Sequence, residues 1–256
     1  MYNINKLISP QVFEVLLKLL PTPKQRDRGR KRCSKRSLVS GIIQILVLWI
    51  PWRKMFPCGA SSSSCYRYFC ELKRRGILRK KFTLVNKGKT DITECAIDSN
   101  SIGSYRFDLG TGFDGKHKKY ATKLSLLTDK TGLPVDAVFG KGNIHDLNFI
   151  PHHLKNTCFR RKKILNLDMG YTSKELRRKM KIKGIFVNMK TKKNDYIRKT
   201  GPKFKLKVDK YKVRFLVEKT FAWIENFKRC KFRLDYTLSS FKSWVYLALI
   251  IILIRG

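Results

Sequence analysis

The sequence predicts a mixed α/β fold, in which a small helical domain at residues 1–82 precedes an α/β domain at residues 91–256. Two observations support this division. Before residue 82, apolar side chains recur at the spacing of amphipathic helices. After residue 91, short apolar or alternating runs separated by turn residues indicate strands, and helical patterns lie between the later strands.

Three helices are predicted in the first domain. One covers residues 10–20, a second is capped by Ser37 and continues to residue 48, and a third covers residues 65–75 and ends at Gly76. Residues 24–36 form a basic loop, which is either a solvated linker or a segment that lies along a phosphate backbone. Residues 82–90, where the pattern changes, are predicted to join the two domains.

The second domain is predicted to alternate strands and helices. The strands cover residues 92–98, 123–128, 135–139, 163–167 and 185–188, and the helices cover residues 147–154, 173–182 (capped by Ser173) and 208–230. This order is typical of a mixed five-stranded sheet of the RNase H type with flanking helices. In such a sheet the first strand is central and the fourth strand lies beside it.

The chain carries a large positive charge. Its 57 Lys and Arg residues outnumber 18 Asp and Glu residues, which gives a formal net charge of +39, while 43% of the residues are hydrophobic. The hydrophobic fraction is enough for a folded core, so a disordered basic tail is excluded. Self-repulsion at this charge favours a polyanionic partner, which indicates nucleic-acid binding. A basic structural protein of a ribosome or virion is a more distant interpretation.

The cysteines and apolar segments favour an intracellular protein that does not span a membrane. The 7 cysteines form no C-x-x-C pair, which is typical of reduced thiols. Residues 1–20 carry Lys and Glu without a continuous apolar core, so no signal peptide is expected. The apolar runs at residues 42–52 and 244–254 are shorter than the roughly 20 residues of a spanning helix and are predicted to be buried helices.

Three carboxylates are the candidate catalytic residues. Asp98 and Asp168 end the first and fourth predicted strands, and Glu218 lies on the last predicted helix. Acidic groups gathered in a basic protein repel one another unless a cation joins them, and Mg²⁺ prefers oxygen ligands. Three acids on separate elements suit two-metal phosphoryl chemistry, in which one ion activates the attacking oxygen and the other stabilises the leaving oxygen.

The last predicted helix carries a rival acid. Steps of three and four residues place Tyr211, Arg214 and Glu218 on one helix face, and Glu225 lies one heptad further along it. At the rise of an α-helix the two glutamates are roughly 10 Å apart, too far to ligate one metal pair. Glu218 is favoured because it has Arg214 as its neighbour.

The histidines are weaker candidates. His145 with Asp146 is either a metal or base pair or a structural corner near the site, since residues 143–146 have turn chemistry. His117, His152 and His153 are expected to make backbone contacts or to be solvated.

A series of motifs runs in a fixed order along the chain. They comprise residues 50–57, 66–69 and Gly76, then Asp98, Lys123 and residues 132–134, 142–146 and 168–171, and finally Arg214, Val217, Glu218, Phe221 and Trp223 before the apolar residues 247–254. Each motif is weak alone. Their collinear order over residues 28–255 resembles the insertion-sequence DDE transposases, specifically the insertion-sequence-five group with its Tyr-Arg-Glu signature.

The resemblance implies that Asp98, Asp168 and Glu218 are the catalytic acids and hold the metal, Mg²⁺ with Mn²⁺ as a substitute. It implies double-stranded DNA as the partner, at the element ends and at the target, and a homodimer or higher oligomer during the reaction. The expected location is the cytoplasm or nucleoid, or the nucleus or virus factory of a eukaryotic host. The candidate DNA-binding residues are Arg28, Arg30, Lys31, Arg32, Arg53, Arg67, Lys123, Tyr211, Arg214 and Lys228.

Three positions depart from the family pattern. Glu225 stands where the signature lysine usually follows the glutamate, with Lys228 as the nearest substitute. Lys219 replaces an arginine, which keeps the charge but loses the guanidinium fork. Residues 61–64 lack the tryptophan of the family. The three candidate acids are all present, which argues against a decayed copy.

The predicted function is a DNA transposase that binds terminal inverted repeats, cuts DNA and joins the freed 3′ hydroxyl to target DNA. Two alternatives stay open. One is an RNase H-fold nuclease that cuts without joining, and the other is a non-catalytic DNA-binding protein derived from a transposase.

Overall fold

A computed structural model describes residues 7–24, 31–105, 108–157, 159, 162–190 and 206–256. The chain forms two compact units, one of Met1–Val85 with Trp223–Gly256 and the other of Asn86–Ala222. The C-terminal segment therefore groups with the N-terminal helices. The predicted domain boundaries at residues 82 and 91 stay a prediction.

The described residues form α1 (Pro10–Leu19), α2 (Lys35–Leu48), α3 (Ser62–Arg74), α4 (Ile77–Lys89), β1 (Glu94–Gly103), β2 (Gly112–Asp114), β3 (Lys119–Asp129), β4 (Pro134–Lys141), α5 (Ile150–Asn156), β5 (Lys163–Leu167), α6 (Lys174–Ile182), β6 (Ile185–Asn188), α7 (Val208–Tyr211), α8 (Arg214–Glu225), α9 (Lys228–Lys231) and α10 (Leu238–Arg255). Short 3₁₀ helices lie at Trp52–Lys54, Asp146–Phe149 and Met169–Tyr171.

Serine side chains set the starts of helices in the first unit. The Oγ atom of Ser34 accepts the N–H of Ser37 at 3.1 Å, so α2 begins at Lys35 and the prediction that Ser37 caps it is wrong. The Oγ atom of Ser61 accepts the N–H of Ser64 at 3.2 Å at the start of α3. Gly76, with a φ of 61°, lies just after α3 in the left-handed region that favours glycine, so the predicted end of this helix is confirmed.

Helix α10 lies in the core of the first unit. Trp244 is fully buried, and its ring stacks on that of Phe69 with centroids 4.0 Å apart. By length and composition α10 could cross a membrane, but 67% of its apolar window is buried inside the protein, as in the core helix of a folded domain. The prediction that residues 244–254 form a buried helix is confirmed.

The second unit is built on a mixed sheet with the strand order β2-β3-β1-β5-β6, and β4 also pairs with β3. β3 runs antiparallel to β1, β2 and β4, whereas β1, β5 and β6 are parallel to one another. The predicted mixed sheet with flanking helices is confirmed. The strand β2 was not predicted, because three residues are too short to show an alternating pattern.

The core of this unit lies between the central strands and the helices beside them. Its buried residues include Ile97 of β1, Leu167 of β5, and Leu176 and Met180 of α6. The Oγ atom of Ser173 accepts the N–H of Leu176 at 3.2 Å, which confirms the predicted cap of α6.

Two sequence-based predictions about helices are wrong. The predicted helix at residues 208–230 is instead three helices, α7, α8 and α9. The backbone N–H of Phe215 bonds to the carbonyl of Lys212, a tight turn that separates α7 from α8, and the extended backbone of Phe227 precedes α9. Residues 82–89, predicted as part of a junction, belong to α4.

Candidate active site

The parallel pairing of β1 and β5 brings Asp98 and Asp168 to neighbouring positions. Ile97 pairs with Leu167, and each aspartate is the next residue along its strand direction. Asp98 continues within β1, whereas Asp168 follows β5 with an extended backbone and directly precedes the 3₁₀ helix Met169–Tyr171. Residues one step beyond a paired position point to the same face of a sheet. The two predicted acids therefore lie at one level of the sheet, on neighbouring segments of the chain.

Arg214 links the third acid to this pair. Its Nη1 atom is 3.5 Å from Oδ1 of Asp168 and 3.7 Å from Oε1 of Glu218. The guanidinium is largely buried, with 15% of the side chain exposed, while the carboxylates of Asp168 and Glu218 are 47% and 58% exposed. One largely buried cation thus lies near two partly exposed acids on separate elements.

The pKa of the Asp98 carboxyl is raised by burial and, to a smaller extent, by neighbouring acids. Burial raises the pKa of the Asp98 carboxyl to about 6, and the charges of Asp168 and Asp146 act in the same direction. The backbone N–H of Ser99, which donates to Oδ1 of Asp98 at 2.8 Å, and the guanidinium of Arg214 lower this pKa. A cation placed beside the carboxylates would remove the cost of ionising Asp98.

Tyr171 ties the two aspartate-bearing segments together. Its hydroxyl lies 3.2 Å from Oγ of Ser99, the residue after Asp98, and its ring is buried in the core. Burial raises the pKa of the Tyr171 phenol, and the negative charges of Asp98, Asp146 and Asp168 add to this effect. The phenol is therefore a neutral hydrogen-bonding group at the edge of the acidic cluster.

Tyr211 and Arg214 of the predicted signature lie on separate helices, which corrects the prediction of one shared helix. They remain in contact, since the Arg214 guanidinium lies 5.7 Å from the centroid of the buried Tyr211 ring. Glu225, the rival acid, is the exposed last residue of α8 and belongs to the first unit. Glu218 is the glutamate that contacts Arg214, and Arg214 in turn contacts Asp168.

Lys123 and Asp146 form an internal ion pair. The Nζ atom of Lys123 donates to the carbonyl of Ile144 at 2.8 Å and to Oδ1 of Asp146 at 2.9 Å, and 14% of its side chain is exposed. His145 accepts the N–H of Leu147 on its Nδ1 atom at 3.3 Å, so these residues form a corner of the fold. A DNA contact by Lys123 stays a prediction.

A buried network behind Asp98 was missed by the sequence reasoning. Nδ1 of His153 lies 2.8 Å from Oδ2 of Asp136, and Nε2 of the same ring lies 3.0 Å from Oγ of Ser125. Ser125 in turn lies 3.5 Å from the carbonyl of Asp98. His153 is fully buried, so the expectation of a solvated residue or a backbone contact is wrong. No sequence signal marks this network, because its members lie on three separate elements.

The donor set fits a divalent cation. Carboxylate oxygens are the ligands that Mg²⁺ prefers, and a cation at this position would offset the burial and the neighbouring charges of Asp168 and Asp146 that raise the pKa of Asp98. Across residues 7–24, 31–105, 108–157, 159, 162–190 and 206–256, no three His, Cys, Asp or Glu side chains are close enough to hold a metal ion. Metal ligation by the three acids therefore stays a proposal.

The remaining candidate DNA-binding residues lie mainly in the first unit. Arg28 and Arg30 fall outside the described residues. The remaining residues of this group are exposed. Lys31, Arg32 and Arg67 are among the residues that line a cavity of about 570 Å³. Arg32 pairs with Glu71 at 3.3 Å. Exposed candidates of this group are Lys31, Arg32, Arg53, Arg67 and Lys228.

Comparisons with known proteins identify the family of the chain. Residues 89–254 match the family described as "Transposase DDE domain", and residues 8–82 match "Putative transposase of IS4/5 family". A relative from Burkholderia cepacia, "Putative transposase for insertion sequence element IS402", is 25% identical over 123 residues, which cover 44% of this chain and 54% of that protein. The match thus spans about half the length of the curated relative.

A solved structure supports the fold. The cryo-EM structure of a piggyBac transposase synaptic complex with hairpin DNA aligns with a TM-score of 0.54 and 12% identity, over 97% of this chain and 72% of that one. At this identity the likeness concerns the fold alone. The family matches cover both parts of the sequence, and the chain belongs to the DDE transposases of insertion sequences, as its motifs predict.

Proposed function

We propose that the protein is a DNA transposase that cleaves the ends of its element and joins them to target DNA. Residues 1–82 would bind the terminal inverted repeats, and residues 91–256 would carry the chemistry. The observation that carries the proposal is the matching position of Asp98 on β1 and of Asp168 directly after the parallel strand β5, with Glu218 linked to Asp168 through Arg214.

The three carboxylates would hold Mg²⁺, with Mn²⁺ as a substitute. When bound, the metal would activate the attacking oxygen and neutralise charge on the scissile phosphate. Arg214 lies between the carboxylates of Asp168 and Glu218, and it would keep a positive charge beside the reacting phosphate. The network of Ser125, His153 and Asp136 fixes the strand that presents Asp98.

Affinity for DNA would come from the cations of the chain, with its net charge of +39. The exposed Lys31, Arg53 and Arg67 are candidates for phosphate contacts, which are independent of base sequence. Because two element ends must be held together, at least a dimer is expected during the reaction. The protein would act in the cytoplasm or nucleoid, or in the nucleus or virus factory of a eukaryotic host.

A strand-transfer assay tests this function. Purified protein is incubated with Mg²⁺, labelled duplexes that carry the ends of its element, and a supercoiled target plasmid. A transposase converts the label into plasmid-linked product. Cleavage without joined product would instead support an RNase H-fold nuclease, and binding without cleavage would support a non-catalytic DNA-binding protein.

A further inference from the structure

An aromatic pair is exposed at one end of the sheet. Phe113 of β2 and Tyr120 of β3 are directly paired, and their ring centroids lie 5.4 Å apart with an interplanar angle of 69°. Each residue is 49% exposed. Cross-strand aromatic contact explains why the two rings touch, but it does not require that both keep half of their surface in water.

Three lysines lie between these two aromatic residues in the sequence, in the turn and at the start of β3. Lys116, Lys118 and Lys119 are all exposed. The one acid of the segment, Asp114, is buried, and its Oδ1 atom accepts the backbone N–H of Lys116 at 2.9 Å while Oδ2 lies 2.9 Å from Nδ1 of His117. Since the Asp114 carboxylate is used inside the hairpin, the outer surface of the hairpin is positive and aromatic.

This combination matches the chemistry of an unpaired nucleic-acid strand. Exposed rings stack on bases of any sequence, and nearby lysines neutralise the phosphates. We propose that Phe113 and Tyr120, with the three lysines between them in the sequence, form a stacking platform for unpaired bases of a DNA strand. This inference rests on the proposed transposase function and adds a DNA-binding site outside the acidic cluster.

The strand register separates this hairpin from the acidic cluster. Asp98 pairs with Leu126 on β3, and Tyr120 lies further along that same strand, roughly 20 Å away at the rise of an extended chain. The platform would therefore contact a part of the DNA strand away from the phosphate that is cleaved.

The test compares two DNA probes with the full chain in the absence of Mg²⁺. Fluorescence anisotropy measures the Kd for a 20-nucleotide oligothymidine strand and for a 20-base-pair duplex. The variants are Phe113→Ala with Tyr120→Ala, and Phe113→Leu with Tyr120→Leu, which keeps the apolar contact but removes the π-faces. Phe113→Trp with Tyr120→Trp restores the stacking surface, and thermal melting confirms that each variant is folded.

Phe186 provides a matched control at the far end of the strand order. It lies on β6, is 38% exposed and has Nζ of Lys207 at 4.6 Å from its ring centroid. The proposal predicts that the alanine and leucine pairs weaken single-strand binding by about 5- to 100-fold and duplex binding by less than threefold. The tryptophan pair and Phe186→Ala should bind as the wild type does.

Three results would overturn the platform. These are an unchanged Kd for the single strand, an equal loss on duplex and single strand, and a leucine pair that binds as tightly as the wild type. Failure of the proposed function has a different signature, since a wild-type protein that binds neither probe would remove both proposals. If the wild type carries out strand transfer and the aromatic variants bind both probes as the wild type does, only the platform proposal is overturned.

Discussion

The guanidinium of Arg214 lies 3.5 Å from the carboxylate of Asp168, although the two residues are on different elements of the fold. The same guanidinium lies 3.7 Å from Glu218, so it neutralises part of the repulsion between these acids. Arginine suits this position because its planar group can face two carboxylates at once. The contact therefore makes a direct prediction for catalysis.

Replacement of Arg214 should impair cleavage more than DNA binding. Arg214→Gln should lower the rate of DNA cleavage by about 10²-fold, because a fixed positive charge beside the reacting phosphate is lost. Arg214→Lys should recover part of this loss, since it keeps the charge but not the fork. Cleavage of a labelled end is measured at saturating protein. Lys219→Gln, on the same helix, is the control, and an equal loss in both variants would contradict the role of Arg214.

The raised pKa of Asp98 predicts a pH-dependent stability. Burial raises this pKa to about 6, whereas an unfolded aspartate titrates near 3.9. The Asp98 carboxyl therefore contributes to the free energy of unfolding most favourably below about pH 3.9. This contribution is lost as the pH rises through 6. Asp98→Asn should therefore stabilise the metal-free protein by roughly 1–3 kcal/mol at pH 7.5, and the gain should approach zero near pH 4.

Urea unfolding in EDTA across this pH range measures the effect. Asp91→Asn is the control, because the pKa of the exposed Asp91 is lowered by its Lys130 partner and its removal should not stabilise the protein. Added Mg²⁺ should stabilise the wild type but not Asp98→Asn if the carboxylate is a ligand. A variant that is less stable than the wild type at pH 7.5 would refute this account of Asp98.

The buried network predicts a structural role for His153. His153→Ala should lower the free energy of unfolding by roughly 2–4 kcal/mol. The reason is that the carboxylate of Asp136 and the hydroxyl of Ser125 each lose a hydrogen-bond partner inside the core. His152→Ala, at the exposed neighbouring position, should change stability by less than about 0.5 kcal/mol. Equal effects in denaturant titrations would argue against the network.

The salt dependence of DNA binding tests whether the cations of the first unit contact phosphates. Substitution of Lys31, Arg53 and Arg67 by glutamine should reduce the slope of log K against log salt by about 0.9 for each phosphate contact that is lost. Arg75→Gln is the control, because Arg75 pairs with Glu71 at 3.2 Å. Titrations between low and moderate salt give the slopes. Slopes identical to that of the wild type would show that these cations do not contact phosphates.

The elements with strong local sequence signals could be predicted from the sequence alone. The apolar runs that end at Asp98 and Asp168, and the cap at Ser173, are local patterns, so the central strands and α6 could be predicted. The break between α7 and α8 could not, because Tyr211 and Arg214 fit one helical face whether or not the helix is continuous. Here a local turn overrides the pattern.

The neighbours of the acids depend on tertiary packing and were less predictable. His153 meets Asp136 and Ser125 only because α5 packs near β3 and β4, and none of the three has a distinctive sequence context. The ion pair of Lys123 with Asp146 similarly joins a strand to the corner before α5. Such contacts follow from the path of the chain, which short motifs do not specify.

The central claim is that Asp98, Asp168 and Glu218 act together in metal-dependent DNA cleavage. The most direct measurement is the Mg²⁺-dependent cleavage rate of Asp98→Asn, Asp168→Asn and Glu218→Gln, with DNA binding measured in parallel. Glu175→Gln is the matched control, since Glu175 also lies on a helix with a cation four residues away. Each of the three variants should lose cleavage by at least about 10³-fold and keep binding, while Glu175→Gln and Glu225→Gln cleave normally. Cleavage retained by Glu218→Gln and lost by Glu225→Gln would contradict the assignment.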